Sequence, residues 1–249
     1  MFGSDRILTA AKFDFKNKSY LITGASGGIG LKTIQILLES GARVYSNSRR
    51  EIDIKHENLF HSTGDITDEE YVKNWVANIE NIDGLVYAAG MIEPRPIRFE
   101  TKEKMMKVWD VNYFAAVSLV SNLIKKKKIN PWSSSVFISS ISARAPYIGG
   151  SKYTGSKAAL EVFAKVMMME LAEKKARTNC LAPAMVKTEM YDKGVDTGSE
   201  LRMAEHIAKY PFGIGEPEDV AQATCFLLSD ASRWINGVTL TMDGGYLLT

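Results

Sequence analysis

A chain of 249 residues, 45% of them hydrophobic, can form one large α/β domain or two small ones and can bury a substantial core. A formal net charge of +2 gives no global electrostatic case for nucleic acid, and no segment reaches the ~18 apolar residues of a membrane span. The two cysteines, Cys180 and Cys225, stand alone in apolar runs with no histidine beside them. That argues against a catalytic thiol and for buried packing roles in a reducing compartment, the cytoplasm.

From the amino end, Met1 to Lys12 lacks a signal peptide's long apolar region and reads as a surface extension. Strand-like runs then follow at Tyr20–Thr23, Arg43–Ser46, Leu59–Ser62, Gly84–Ala88, Ser135–Ser139, Arg177–Leu181 and Thr239–Met242, with helical patterns between them. Alternating strands and helices predict an α/β fold: a Rossmann-like, doubly wound parallel sheet of about seven strands with helices on both faces. The strands are apolar runs rather than alternating ones, as expected when both faces are covered. No linker or internal repeat divides the chain, so residues 1–249 read as a single domain. The run Lys125–Lys128 closes a helical stretch from Val117 to Ile124, where cations suit the helix C-terminus. Glu189 to Tyr210 breaks the rhythm after a strand's C-terminal end and reads as a substrate lid.

Three places in this order carry chemistry. The first is Thr23-Gly24-Ala25-Ser26-Gly27-Gly28-Ile29-Gly30, a glycine-rich turn between the first strand and the first helix. Glycine lets backbone approach a pyrophosphate, and the helix N-terminus offers unpaired N–H groups. The second is the end of the second strand, where an acid would select NAD. Here Ser48 stands in that place, followed by Arg49 and Arg50, with Glu51 three residues late. A hydroxyl and a guanidinium suit a 2′-phosphate, which predicts NADP(H) over NAD(H). The third is Tyr153-Thr154-Gly155-Ser156-Lys157 at the start of a helical pattern. Residues four apart share a helix face, so a phenol and an ammonium lie side by side. A neighbouring cation is expected to lower the phenol's pKa and ready it for proton exchange with an alcohol or carbonyl oxygen. The three histidines, His56, His61 and His206, show no metal-ligand spacing, and no metal is expected.

With these motifs in this order, joined by Asp65, Ala89-Gly90, Asn112, Ser139-Ser140, Asn179 through Pro183 to Thr188, Pro217 to Ala221 and Asp243-Gly244-Gly245, the chain resembles the short-chain dehydrogenase/reductase family from about Phe15 to Tyr246. Within it the resemblance is broadly to 3-oxoacyl-carrier-protein reductases. It implies a catalytic set of Asn112, Ser140, Tyr153 and Lys157, with Asn112 holding a water that links the lysine to solvent. It implies cofactor contacts from Gly24, Ser26, Gly28, Ile29, Gly30, Ser48, Arg49, Asp65, Ile66, Ala89, Gly90, Tyr153, Lys157, Val186 and Thr188. Asp65 would take the adenine edge and Ile66 would flank the ring, with Thr67 rather than Asp65 capping the next helix. Alternation along the strand separates Ser140 from Ser139 and points to Ser140. The implied reaction is NADPH-dependent reduction of a ketone by hydride transfer, with Tyr153 donating the proton. A small-molecule substrate is expected, carried by an acidic carrier protein if Arg95, Arg98 and Arg144 converge into a basic patch. The alternatives are a dehydrogenase of a sugar, polyol or other small secondary alcohol, and a non-catalytic cofactor-binding module. Met185, Met190, Tyr191 and Met203 give the lid no clear signature.

Three departures from the family pattern stand out. Tyr87 and Ala88 occupy the positions of two asparagines after the fourth strand, so an amide tie between strands is expected to be missing. Ala184 replaces a glycine, and Ile214 replaces an arginine before Pro217. The C-terminal run, apolar as far as Leu247-Leu248, predicts burial between the subunits of a homotetramer.

Overall fold

The structure, a computed structural model, describes residues 13–189 and 200–249. The Met1 to Lys12 extension, and Met190, Tyr191 and the Met203 side chain of the expected lid, lie outside the described residues. Seven strands form one sheet: β1 (Ser19–Thr23), β2 (Arg43–Ser48), β3 (Leu59–Thr63), β4 (Ile82–Tyr87), β5 (Ile129–Ile138), β6 (Arg177–Pro183) and β7 (Thr239–Met242). All pairings are parallel, in the order β3-β2-β1-β4-β5-β6-β7. The helices are α1 (Gly28–Glu39), α2 (Glu69–Asn78), α3 (Lys102–Trp109), α4 (Ala115–Lys125), α5 (Ser151–Glu170), α6 (Glu200–Ile207) and α7 (Pro217–Leu228).

Strand alternation divides the apolar residues between two cores. Leu21, Leu85, Tyr87 and Phe137 point to one face and pack with Val72 and Trp75 of α2, Leu119 of α4 and Leu160 of α5. Ile22, Val86, Val136 and Leu181 point to the other and pack with Ile34 and Leu37 of α1 and with Val220 and Leu227 of α7. The chain leaves β1 in one direction to β2 and β3 and returns beyond it to β4. The order therefore reverses between β1 and β4, and in open sheets of this kind ligands bind above the carboxyl ends at that point.

Several local expectations are corrected. β5 starts at Ile129, and Asn130 to Ser133 bulge out, because Ile82 pairs with Ile129 while Gly84 pairs with Ser134. Asp68, not Thr67, caps α2: its carboxylate accepts from the Glu70 and Tyr71 N–H groups. A carboxylate also meets the positive end of the helix. Thr67 instead donates through its N–H and hydroxyl to one oxygen of Asp65, so Asp65 is partly engaged within its own turn. The tie expected to be lost at Tyr87-Ala88 is supplied in two other ways. The Thr23 hydroxyl accepts from the Ala88 and Ala89 N–H groups, and the fully buried Tyr87 hydroxyl donates to the Val111 carbonyl at 2.6 Å.

Candidate active site

The glycine turn sits directly above β1. Gly24 has a φ of +72°, and a Cβ there would lie 2.8 Å from the Ala88 carbonyl and the Ala89 nitrogen at the end of β4. Only glycine permits both the conformation and the approach. Gly28, also left-handed, faces the Thr188 methyl on the segment leaving β6. The first turn of α1 has no side-chain cap and no acid. Its N–H groups are thus open to an anion, and this cradle fits the pyrophosphate of a dinucleotide.

The exit of β2 lies beside the turn. The Ser48 hydroxyl is buried and donates to the Arg50 carbonyl at 2.5 Å, which braces the Arg49-Arg50 backbone. His61 of β3 supports the same carbonyl and also meets Ser46. Arg49 lies towards Asp65; the hydrogen bond from the Thr67 N–H chiefly, and Arg49's charge further, hold the Asp65 carboxyl below its usual range. Arg50 takes the other side. Its guanidinium reaches Ser26 in the glycine turn at 3.4 Å and pairs with Glu189 at 3.0 Å. The sequence reading named both arginines and selected Arg49, whereas Arg50 is the one that reaches the glycine turn. Adjacent residues leaving a strand point to opposite sides, so only one of them can face the turn. Glu51 turns away to the Thr63 hydroxyl. Ile66, expected beside an adenine, is buried in the core with Val72 and Trp75.

The residues expected to react lie beside Gly90, just past the end of β4 that packs on Gly24. Tyr153 and Lys157 lie one turn apart on the inner face of α5, in line with the buried Leu160 and Ala164. Tyr153 is 9% exposed and Lys157 4%. Ser140 follows β5 close enough to Tyr153 for its hydroxyl to lower the phenol's pKa, and its oxygen accepts from the Ser142 N–H and hydroxyl. Ser139 points elsewhere, donating to Glu161 at 2.8 Å, as alternation requires. Lys157 Nζ donates to the Ile138 carbonyl at 2.7 Å. A Cβ on Gly90 would lie 3.4 Å from both Lys157 Nζ and Asn112 Oδ1, so β4, α5 and Asn112 converge there.

Asn112 is fully buried in a π-helical turn, Asp110–Phe114, between α3 and α4. Such turns are frequent at functional sites. Its amide donates to the Met91 carbonyl and to Ser156 Oγ and accepts from the Met91 N–H. Both amide hydrogens of Asn112 are thereby engaged, and Oδ1 keeps one acceptor position.

The expected effect of Lys157 on Tyr153 is corrected. Burial raises the Tyr153 pKa above the ordinary phenol value, and the Ser140 hydroxyl opposes that rise in part. Burial pushes Lys157 down to about 8. The ammonium lies 5.8 Å from the phenol ring centre, so desolvation outweighs the pairing.

The supposed basic patch is largely neutralised: Arg95 pairs with Glu93 and Arg144 with Glu161, while Arg98 lies over the Phe99 ring. Cys180 and Cys225 are free and buried, and burial raises both thiols. Among the described residues no cluster of histidine, cysteine and acid could hold a metal, and no helix is long and apolar enough to cross a membrane.

A phosphate cradle at the sheet's reversal point, facing a serine, tyrosine and lysine, defines a nucleotide-dependent oxidoreductase acting on CH–OH and C=O groups. Comparison with known proteins agrees. The family model described as enoyl-(acyl carrier protein) reductase matches residues 24–247. The 3-oxoacyl-[acyl-carrier-protein] reductase FabG of Rickettsia typhi is 33% identical over 243 residues, covering 94% of this chain and 99% of the relative. The D-erythrulose reductase of Gallus gallus is 31% identical, with coverages of 94% and 98%. The solved aldohexose dehydrogenase of Thermoplasma acidophilum superposes with a TM-score of 0.86 at 27% identity, covering 94% of this chain and 96% of its own. The chain belongs to the short-chain dehydrogenase/reductase family.

Proposed function

We propose that the protein is an NADPH-dependent reductase that converts a ketone of 3-oxoacyl type to a secondary alcohol. The observation that carries this reading is the convergence of Ser140, Tyr153 and Lys157 beside Gly90. The similarity to the Rickettsia reductase supports the substrate class. Arg50 beside Ser26, with Arg49 near Asp65, supports a 2′-phosphate and hence NADP(H). The bound nicotinamide would supply the two electrons of the reduction.

The chain's own groups do the rest. Ser140 donates a hydrogen bond to the substrate oxygen and orients Tyr153. Tyr153, protonated because burial raises its pKa, donates the proton to that oxygen. Lys157 places a cation near the phenolate that remains and would hold the nicotinamide ribose. Asn112 fixes Met91 and Ser156, and so the wall and floor of the site.

A second reading, a dehydrogenase of a small free sugar, polyol or other secondary alcohol, which reduces the matching ketone in reverse, is favoured by the pairing of Arg95 and Arg144 with carboxylates, which leaves little free charge for an acidic carrier, and by the D-erythrulose reductase relative. The test is NADPH oxidation, followed by absorbance, with ethyl acetoacetate, acetoacetyl thioesters and D-erythrulose. Turnover of the 3-oxo compounds is expected. Turnover of D-erythrulose alone moves the protein to the second reading, and a preference for NADH contradicts the roles given to Arg49 and Arg50. The protein is proposed to work in the cytoplasm, where its buried thiols stay reduced.

A further inference from the structure

The lysine that precedes the catalytic tyrosine is fully buried, and the reaction described above does not use it. Lys152 has no exposed side-chain surface. Its ammonium lies 3.2 Å from Glu93 and 3.2 Å from Glu100, and the Glu100 side chain is itself 6% exposed. Glu93 is shared with Arg95, 3.1 Å away. Two cations and two carboxylates therefore balance in one network. A buried pair of this kind adds little to stability over an apolar replacement, so its value has to lie in what it fixes.

What it fixes is the segment that leaves β4 over the reacting groups. That segment begins at Gly90, in contact range of Lys157 Nζ. Met91 is held at both its N–H and its carbonyl by Asn112. Glu93 is held by Lys152, and Arg95 donates its N–H to the Gly149 carbonyl at 2.9 Å. Glu100, at the far end, returns to Lys152. The segment from 90 to 100 is thus an arch with both limbs tied to one ammonium on α5, one residue from Tyr153.

We propose that Lys152 is a positioning residue: by holding Glu93 and Glu100 together it sets the height of the Gly90–Met91 backbone above Lys157 and Tyr153. The inference rests on the reading of Tyr153 and Lys157 as the reacting pair. Lys152 touches neither the substrate nor the reacting atoms.

The test compares wild type, E100Q and the double variant K152M/E100Q, which removes one charge of each sign and so leaves no orphaned carboxylate at Glu100. Melting temperature and NADPH affinity are expected to stay close to wild type, with the Kd within about twofold. The kcat for ethyl acetoacetate or D-erythrulose is expected to fall at least about tenfold, since small misplacements of reacting groups are costly. The Met91 amide is expected to exchange its hydrogen at least about tenfold faster, because its bond to Asn112 depends on the arch. E100Q alone, which keeps the Lys152–Glu93 pair, should lie between the two. A double variant with wild-type kcat overturns the proposal, whatever its exchange rate, and so does a lowered kcat with Met91 still protected. If the wild type turns over neither probe, the proposed function fails, and Met91 exchange alone decides the role of Lys152.

Discussion

Burial decides the ionisation of the two groups on α5. Lys157 is pushed down to about 8 while Tyr153 is raised, so the phenol stays protonated and the ammonium is the group that titrates near neutrality. As pH rises through about 8 the lysine loses its charge while the tyrosine keeps its proton. The kcat/KM for reduction should therefore be flat below that pH and decline above it; a rate that climbs through pH 8 would contradict the assignment. Arg50 gives a second prediction at this scale. Arg50→Ala should raise the KM for NADPH roughly ten- to a hundredfold, the worth of a charge-assisted hydrogen bond, and leave that for NADH nearly unchanged. Equal effects on both cofactors would place the guanidinium elsewhere. Tyr153 and Lys157 were legible in the sequence because helical spacing fixes which side chains share a face. The direction of the Tyr153 shift was not, because desolvation depends on neighbours brought from β5 and the Met91 segment.

The elements were legible where a regular pattern ran through them. β1, α1 and the turn between them show apolar runs split by glycines, and their positions follow. Gly24 shows the cost of altering that turn. Gly24→Ala places a Cβ 2.8 Å from the Ala88 carbonyl at a left-handed φ, and it should destabilise the fold by at least ~1–3 kcal/mol. A thermal melt beside wild type, with NADPH binding measured in parallel, checks this; an unchanged melting temperature would mean that β4 yields easily. β5 was less legible. Its bulge at Asn130 to Ser133 leaves Trp132 exposed with a φ of +63°, and nothing in the apolar pattern announces a left-handed tryptophan. The π turn at Asn112 was hidden for a related reason. A single inserted residue shifts helical phase too little to see without knowing that Met91 and Ser156 must both be reached.

On the scale of the whole molecule, one parallel sheet brings residues from four separate stretches of chain to a single crevice: the glycine turn, the exit of β2, the exit of β4, and α5 with Ser140. Among the described residues the same chain leaves several large apolar side chains exposed, and two groups of them bear on assembly. One carries Trp234, 92% exposed, with Val238, Leu240 and Leu248; the other carries Phe114 in the π turn and Val162, Val166 and Met169 on α5. We propose that these are the two faces of a homotetramer, since a closed tetramer needs two self-complementary faces on each subunit. Light scattering at micromolar concentration should give a tetramer, and Trp234→Asp or Val162→Arg should give a dimer; a wild-type monomer would contradict it. The fold class followed from the sequence, since it rests on periodicity, whereas the order of the strands came only with the structure. The network that joins Lys152, Glu93 and Glu100 did not follow from the sequence either, since it rests on distances across the chain. The most direct test of the site as a whole is Tyr153→Phe, assayed for NADPH oxidation with the best ketone of the substrate panel and for NADPH binding by fluorescence. The predicted result is intact binding with turnover reduced by about 10²–10⁴-fold, the worth of a placed proton donor. Near-normal turnover with intact binding would contradict it.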